Sequence, residues 1–338
     1  MMIFDSTLRD GSHQIHHKLT KDNIIDYCKM IDDANMYTVI VGHGNGLGAS
    51  SLNVGLSLLT DEEMLITAKQ CLKKTKLGAF LLPGFGTIND NLQPAFDCGV
   101  DLVCVASHCT EADITEQHIK YAKQHGKEAY GILMMQHTIS DEEILLQAQK
   151  MESYGADGIV LMDSAGASLP DAVGQRIDYM THRLSIPVGF HAHNNLGLAV
   201  ANTVKAIEAG AEIIDGTTRG FGAGAGNCQI EVVLAVLEKM GYNTGADLYR
   251  IIDAGDKVVS GFTSANQGIS GINLISGIAG VFSSYAHHVE AAAAAFNVDY
   301  RDIFIEMGKR KTVGGQEDIV IEVAAKLAEE KNGQHNNL

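Results

Sequence analysis

The sequence is poor in basic residues, and this shortage restricts its partners. Among 338 residues, 25 are Lys or Arg and 41 are Asp or Glu, so the formal net charge is −16 with histidine neutral. Such a charge repels nucleic acid backbones and anionic membrane surfaces. We therefore expect neither as a partner. An anionic substrate must be held by a local device such as a metal, an arginine or a set of backbone amides.

Paired cysteines and long apolar runs are missing as well. The six cysteines form no CxxC pair, which predicts buried free thiols in a reducing cytoplasm. A metal site at Cys104, His108 and Cys109 is an alternative, although no second ligand pair accompanies it. No window holds 18 consecutive apolar residues, and no basic stretch followed by an apolar one opens the chain. We expect a cytoplasmic protein without a membrane span or a signal peptide.

What the sequence does contain is a regular alternation of short apolar runs and amphipathic helical patterns. One helix begins with a capping box, Ser140 followed by Glu143, and others end at Gly155 and Gly210, as left-handed C-caps require. The apolar or β-branched runs, which predict strands, are residues 2–7, 37–44, 77–84, 101–108, 128–135, 157–164, 186–193 and 211–218.

Eight strand–helix units predict an α/β fold, a (β/α)₈ TIM barrel closed by a parallel sheet. An open, doubly wound sheet is disfavoured because no GxGxxG follows the first strand. The alternation stops near residue 245. We therefore predict a barrel over 1–244, a C-terminal helical extension over 245–330 and a frayed polar tail over 331–338.

Residues that bind metals stand at the ends of two predicted strands. His191 and His193 are two apart, so both side chains project to one side of the seventh strand, and Asp10 lies just beyond the first. In a closed barrel only the eighth strand separates the seventh strand from the first. The three side chains can therefore converge on the face that carries barrel active sites. Two imidazoles and one carboxylate leave positions open for substrate, and they suit Mn²⁺, Mg²⁺ or Zn²⁺.

Other residues of the same loops could take part in chemistry. Arg9 could hold a carboxylate or an enolate oxygen, and His13 could transfer a proton near neutral pH. His16 and His17, which follow, are interpreted as structural or surface residues. The glycine-rich stretch 220–227 allows a phosphate cradle, but a tight turn beside the metal site is the more economical interpretation.

Several motifs together resemble the metal-dependent pyruvate aldolase branch of the DRE-TIM metallolyases. The matching stretches are STLRDG near the start, HAHNNLG at the seventh strand and GAGAGN after the eighth. Further counterparts include GHGNGLGASS, SHCTEAD, GVFSS and VGGQED, so the resemblance runs nearly end to end. It implies a (β/α)₈ barrel with C-terminal helices, and cleavage of a 4-hydroxy-2-oxo acid to pyruvate and an aldehyde.

The resemblance also implies roles for individual residues. Asp10, His191 and His193 would ligate a divalent metal, most commonly Mn²⁺, with Mg²⁺, Co²⁺ or Zn²⁺ as alternatives. Arg9 would stabilise the pyruvate enolate, and His13 would take the proton from the C4 hydroxyl. Ser164 matches a position at which the family contacts pyruvate, and His191 would face the substrate as well. An acylating aldehyde dehydrogenase is the implied partner, and an oligomer is compatible with the family.

The sequence departs from the family pattern in the substrate pocket. Phe282 replaces a tyrosine implicated in substrate positioning, and Tyr285 three residues later could supply the missing hydroxyl. Arg219 stands where a small residue is expected. It either meets an anionic group of the substrate or is a solvated loop arginine. Ser12 replaces a hydrophobic residue.

Two other functions compete with the aldolase hypothesis. A Claisen-type enzyme that condenses an acyl-CoA with a 2-oxo acid would share the metal residues, although LMDSAGAS and GAGAGN favour the aldolase branch. The chain could also be a partner-binding subunit with a weakened site. The intact set of Arg9, Asp10 and His13 argues against that function.

Overall fold

The structure is a computed structural model that describes residues 1–263 and 267–335. The strands are β1 (Met2–Asp5), β2 (Thr38–Ile40), β3 (Lys76–Leu81), β4 (Leu102–His108), β5 (Glu128–Met134), β6 (Gly158–Asp163), β7 (Val188–Ala192) and β8 (Ile213–Gly216). The first helices are α1 (Lys21–Ile31), α2 (Asp61–Cys71), α3 (Gln93–Asp97), α4 (Glu116–Gln124), α5 (Asp141–Ser153), α6 (Pro170–Thr181), α7 (Ala199–Glu208) and α8 (Ile230–Lys239). They are followed by α9 (Leu248–Lys257), α10 (Gly271–Ala279), α11 (Ala286–Phe296), α12 (Tyr300–Lys309) and α13 (Glu317–His335).

The strands form a closed parallel barrel in the order β1 to β8, with β8 paired to β1, so the predicted (β/α)₈ fold is confirmed. Side chains alternate between the two faces of the barrel wall, as the two-residue period of a strand requires. On β4, Leu102, Cys104 and Ala106 fill the barrel interior. Val103 and Val105 pack outward against the helices.

The local signals at the helix ends are found as predicted. Ser140 caps α5 by accepting the amide of Glu143, whose side chain accepts the amide of Ser140 in return. Gly155 and Gly210 follow α5 and α7 with φ of 99°, a conformation that favours glycine. Within the described ranges, no helix combines the length and the apolar character that crossing a membrane requires.

The helices after the barrel divide into two groups. Ile251 and Ala254 of α9, and Val259 just beyond, pack in the outer barrel core. Helices α10 to α13 instead build a small core of their own. We therefore propose that the barrel unit extends through Val259 rather than ending at 244. The helix α13 continues to His335, and residues 336–338 of the predicted frayed tail lie outside the described residues.

Candidate metal centre and active site

Strand β7 delivers two imidazoles to the C-terminal mouth of the barrel. His191 lies on the inward face, in register with Asp215 of β8, and His193 follows just after the strand. His191 Nδ1 lies 3.0 Å from Asp215 Oδ2, while Ser6 donates to Asp215 Oδ1 at 2.7 Å. Asp215 therefore lies behind the His191 ring, the position from which a carboxylate commonly orients a histidine that binds a metal.

Asp10 reaches the same place from the loop after β1. It is buried and its Oδ1 accepts a hydrogen bond from the Arg9 guanidinium at 2.9 Å. Burial by itself would raise the pKa of Asp10. The charges of Arg9 and the neighbouring histidines His193, His13 and His191 outweigh burial and hold this pKa well below its ordinary value. Asp10 is therefore a carboxylate, the form that a metal requires.

The glycine-rich loop after β8 holds the other oxygen of Asp10. Asp10 Oδ2 accepts from Asn227 Nδ2 at 2.5 Å and from the amide of Ala223 at 3.2 Å. A Cβ atom at Gly222 would lie 2.0 Å from Asn227 Nδ2 and 2.5 Å from Asp10 Oδ2, so glycine is needed there. The tight turn beside the metal residues, rather than a phosphate cradle, is the interpretation that fits.

The donor set fits a divalent cation. One ligand atom each from Asp10, His191 and His193 can lie within 4.8 Å of one another, and all three residues are buried. His191 Nε2 and His193 Nδ1 are buried without a hydrogen-bond partner among the described residues, a costly arrangement that a metal would relieve. Burial lowers the pKa of His193 to about 4, so its ring is neutral and able to coordinate.

Arg9 lies beside this cluster as a buried cation with spare hydrogen-bonding capacity. Its guanidinium stacks over the Phe80 ring at 4.4 Å and also donates to the Gly44 carbonyl at 3.2 Å. Its Nε is buried and has no hydrogen-bond partner in the part of the chain that the structure describes. A buried donor of this kind is available to an anion that enters the site.

His13 lies in a cluster of histidine rings next to Asp10. Its ring packs edge-on against His17 at 4.8 Å, and His17 stacks on His43 at 3.6 Å. The pKa of His13 is lowered, mainly by burial of the ring, so the ring is unprotonated at neutral pH. A Cβ at Gly44 would lie 2.3 Å from His13 Nε2, so glycine makes room for this ring.

His17, which the sequence indicates as a structural or surface residue, is a buried structural one. It is 7% exposed, and its Nδ1 accepts the Gly44 amide at 3.3 Å. Ser12 explains part of this arrangement, because its hydroxyl lies 3.1 Å from His17 Nδ1 and donates to the Arg9 carbonyl at 2.8 Å. His16, by contrast, is exposed as expected.

Comparisons with known proteins now identify the family. A family profile described as HMGL-like matches residues 1–258, and one described as a DmpG-like communication domain matches residues 267–329. A 4-hydroxy-2-oxovalerate aldolase of Pectobacterium atrosepticum is 53% identical over 328 residues, 97% of this chain and 96% of that protein. The chain belongs to this HMGL-like aldolase family.

Other relatives and solved structures agree with this membership. The 4-hydroxy-2-oxovalerate aldolase of Spirochaeta aurantia is 48% identical over 98% of this chain and 97% of that protein. The N-terminal domain of a putative aldolase from Bacteroides vulgatus superposes with a TM-score of 0.73 at 23% identity, covering 88% of this chain and 98% of that one. The carboxyl transferase domain of Rhizobium etli pyruvate carboxylase gives 0.77 at 14% identity, over 98% of this chain and 60% of that one. These two structures support the fold alone. The predicted family, fold class and carbon–carbon lyase class are confirmed.

In this aldolase family member, the hydroxyl group of Ser164 has a proton available for a substrate. It is buried just after β6, and its hydroxyl oxygen accepts the amide of Met135 at 3.1 Å. Because the oxygen is already engaged as an acceptor, its proton remains free to donate to a substrate oxygen. The role of Ser164 stays a prediction.

Arg219 does not join the metal residues. Its side chain is 48% exposed and pairs with Asp256 of α9 at 3.0 Å, and its backbone amide donates to Glu231. A Cβ at Gly255 would lie 3.1 Å from the Arg219 side chain, so this arginine packs along α9. The expectation of a substrate-binding cation is therefore not supported, and the solvated arginine is the alternative that fits.

The alternative cysteine site is likewise not assembled. Cys104 faces the barrel interior, whereas Cys109 packs in the outer core and its thiol donates to the Met135 carbonyl at 3.3 Å. His108 lies 2.8 Å from the Thr110 hydroxyl. In the part of the chain that the structure describes, all six cysteines are free thiols, as predicted.

Phe282 and Tyr285 follow α10 in the C-terminal helices. Phe282 is half-buried at the edge of their core. Tyr285 is buried. Its hydroxyl donates a hydrogen bond to the Val313 carbonyl at 2.5 Å and accepts one from the Gln316 amide at 3.2 Å. That hydroxyl is fully engaged away from the barrel, so Tyr285 cannot compensate for Phe282.

Four residues that support the centre were not singled out from the sequence. Their side chains support the ligands or the glycine-rich loop, and all four are polar: Asp215, Asn227, Asn195 and Gln267. Only Asp215 had a usable signal, because it stands two residues after the inward-facing Ile213 of β8 and so had to face the barrel interior.

Proposed function

We propose that this chain cleaves a 4-hydroxy-2-oxo acid, such as 4-hydroxy-2-oxopentanoate, to pyruvate and an aldehyde with the help of a divalent metal. One observation carries the proposal. A buried carboxylate and two buried imidazoles converge beside a buried arginine, and among the described residues ring nitrogens of both imidazoles and the arginine Nε have no hydrogen-bond partner. The substrate named for the 4-hydroxy-2-oxovalerate aldolases of other organisms agrees with this chemistry.

Asp10, His191 and His193 would hold the metal. When bound, a divalent cation supplies Lewis-acid stabilisation of negative charge on the 2-oxo oxygen of the substrate. Mn²⁺ is the proposed ion, with Mg²⁺, Co²⁺ and Zn²⁺ as alternatives, because one carboxylate and two imidazoles suit all of them.

The side chains around that position divide the remaining work. His13, neutral at physiological pH, takes the proton of the C4 hydroxyl while the C3–C4 bond breaks. The electron pair of that bond passes to C3, which yields the pyruvate enolate and an aldehyde at C4. Arg9 provides a fixed cation where the negative charge develops, and Ser164 donates its free proton to the pyruvate moiety. Protonation of the enolate at C3 then releases pyruvate.

A direct assay tests this activity. Purified protein with Mn²⁺ should release pyruvate from 4-hydroxy-2-oxopentanoate, and a chelator should abolish the release because the proposed mechanism depends on the metal and uses no Schiff-base lysine. Pyruvate can be followed by its reduction with lactate dehydrogenase and NADH. Free CoA produced from acetyl-CoA and a 2-oxo acid, without pyruvate release from the hydroxy acid, would refute the proposal in favour of the Claisen reaction.

Phe282→Tyr should alter the choice between the two C4 epimers of the substrate. Phe282 replaces a tyrosine that the family resemblance places in the substrate pocket, and a hydroxyl restored there would form one hydrogen bond to the substrate, typically worth about 0.5–1.5 kcal/mol. We expect the ratio of kcat/KM for the two epimers to change by about threefold to tenfold, measured as pyruvate release from each. Phe296→Tyr is the matched control, since Phe296 also lies partly buried at the same small core. An unchanged ratio would contradict the placement of Phe282 in the substrate pocket.

The C-terminal helices are proposed to dock a partner, an acylating aldehyde dehydrogenase that consumes the aldehyde. The match of residues 267–329 to a communication domain supports an interaction of this kind. We further propose that the enzyme works in the cytoplasm, with its six free thiols as support.

A further inference from the structure

Gln267, in the segment that leads into α10, is hydrogen-bonded to the glycine-rich loop. Its Oε1 accepts the Gly222 amide at 3.2 Å and its Nε2 donates to the Gly222 carbonyl at 2.7 Å. This side chain therefore pairs with both backbone groups of one residue, much as a neighbouring strand would. A Cβ at Gly226 would lie 2.6 Å from Gln267 Nε2, so the contact also depends on a second glycine.

Gly222 is in turn packed against the metal residues. The next amide, that of Ala223, donates to Asp10 Oδ2, and a Cβ at Gly222 would lie 2.5 Å from the same oxygen. Asn227, at the end of the loop, donates to it as well. A shift of the loop backbone at Gly222 would thus move two of the three donors that hold Asp10.

A second bridge begins two residues after His193. Asn195 is fully buried, and its Oδ1 accepts the Ala225 amide of the loop at 3.4 Å. Its Nδ2 donates to the Ser283 hydroxyl at 2.8 Å and lies 3.3 Å from that of Ser276. One amide therefore joins the ligand-bearing segment, the glycine-rich loop and the C-terminal helices.

Ser283 is seated directly on the loop. A Cβ at Gly224 would lie 2.4 Å from the Ser283 hydroxyl oxygen, so the Ser283 side chain approaches the loop as closely as a glycine permits. Helices that only covered the barrel surface would not need polar side chains in contact with the glycine-rich loop. The Ala223 amide of this loop donates to Asp10.

We propose that Gln267 and the Asn195–Ser283 pair are positioning residues through which the C-terminal helices set the geometry of the metal centre. The helices hold the glycine-rich loop, and the loop holds Asp10 and Asn227. Displacing the helices lowers the affinity of the site for its metal. A partner that docks on them therefore acts on the chemistry of the barrel through these two contacts. The inference deepens the proposed function, since it concerns the same metal centre.

Gln267→Ala and Ser283→Ala test the two contacts separately. Changes to residues that support metal ligands typically weaken metal binding by about 10–100-fold. We expect the Kd for Mn²⁺, measured by calorimetric titration of the metal-free protein, to rise by about tenfold in each variant. Saturating Mn²⁺ should restore kcat, because the ligands and Arg9 are still present.

Asn273→Ala is the matched control. Its side-chain amide donates to Gly268, within the C-terminal region, and we expect its Mn²⁺ Kd to equal that of the wild type. A role in helix packing alone would lower the thermal stability of the metal-free variants without changing their Kd. A Kd within twofold of the wild type in both Gln267→Ala and Ser283→Ala would overturn the proposal, as would a wild-type protein that binds no Mn²⁺.

The titration contains no substrate, so the two proposals can fail separately. A wild type that binds Mn²⁺ but releases no pyruvate would refute the aldolase reaction, while weaker metal binding in the variants would still support the coupling.

Discussion

Asp10→Asn is expected to lower metal-dependent kcat/KM by at least about 10³-fold. The metal contributes several kcal/mol of charge stabilisation, and each 1.4 kcal/mol corresponds to about tenfold in rate. Asparagine also brings two amide protons to a position where Arg9, Asn227 and the Ala223 amide all donate. The measurement is pyruvate release over a range of Mn²⁺ concentrations, together with the Mn²⁺ Kd.

This substitution also removes one member of a buried ion pair. Leaving Arg9 without its carboxylate costs about 3–5 kcal/mol of stability when both partners are buried, so urea unfolding should be recorded in parallel. Asp256→Asn is the matched control, because this carboxylate pairs with Arg219 at the surface and should leave activity unchanged. Unaltered turnover in Asp10→Asn would refute the assignment of the metal centre.

His13→Asn is expected to reduce kcat by about 10²–10⁴-fold, the usual contribution of a positioned general base. Because burial lowers the pKa of His13, the wild-type kcat/KM should fall only as the pH drops below the ordinary range of histidine. The variant should lack this acidic limb. Both profiles can be measured as pyruvate release at saturating Mn²⁺.

His16→Asn is the control for this experiment, since His16 is an exposed histidine in the same loop. Its φ of 50° lies in the left-handed region, which asparagine tolerates, so the loop should not change. The Mn²⁺ affinity of His13→Asn should stay near that of the wild type. A His13→Asn variant with full activity would rule out this histidine as the base.

The fold was predictable because its signals are local. Each strand of the barrel is a short buried run, so both faces read as apolar, and each helix repeats its buried residues with its own period. The ends were less certain. Residues 37–44 were predicted as a strand, but β2 covers only Thr38–Ile40 because the chain turns away at Gly42, where φ is 151°. A glycine alone does not reveal where a turn begins.

The convergence of the candidate metal ligands was predictable for the same reason, since strand alternation places His191 and His193 on one side of the wall. Residues that support them from other parts of the chain were not. Gln267 and Gly222 are 45 positions apart, and Asn195 and Ser283 are 88 apart. No periodic pattern in the sequence connects such pairs, because the connection arises only from the way the C-terminal helices dock.

Two alternatives that the sequence left open were decided by contacts of the same kind. Arg219 follows β8 and could have been a cation beside the site or a solvated loop arginine, and its side chain pairs with Asp256 of α9. Tyr285 lies near Phe282 in the sequence, yet its hydroxyl is captured by Val313 and Gln316. In both cases the sequence revealed the residue type and the spacing, whereas the direction of the side chain depended on partners far along the chain.

The barrel closes where β8 pairs with β1, and the candidate ligands lie on either side of that closure. During synthesis Asp10 leaves the ribosome well before His191, His193 and the loop that ends at Asn227. The candidate site is therefore complete only after these later residues have been made and have folded onto the barrel. With the proposed ligands, metal binding is therefore a late event in the folding of each chain. A captured ion favours the closed barrel by mass action, so cells starved of the metal would lose enzyme to proteolysis of open chains as well as losing its turnover.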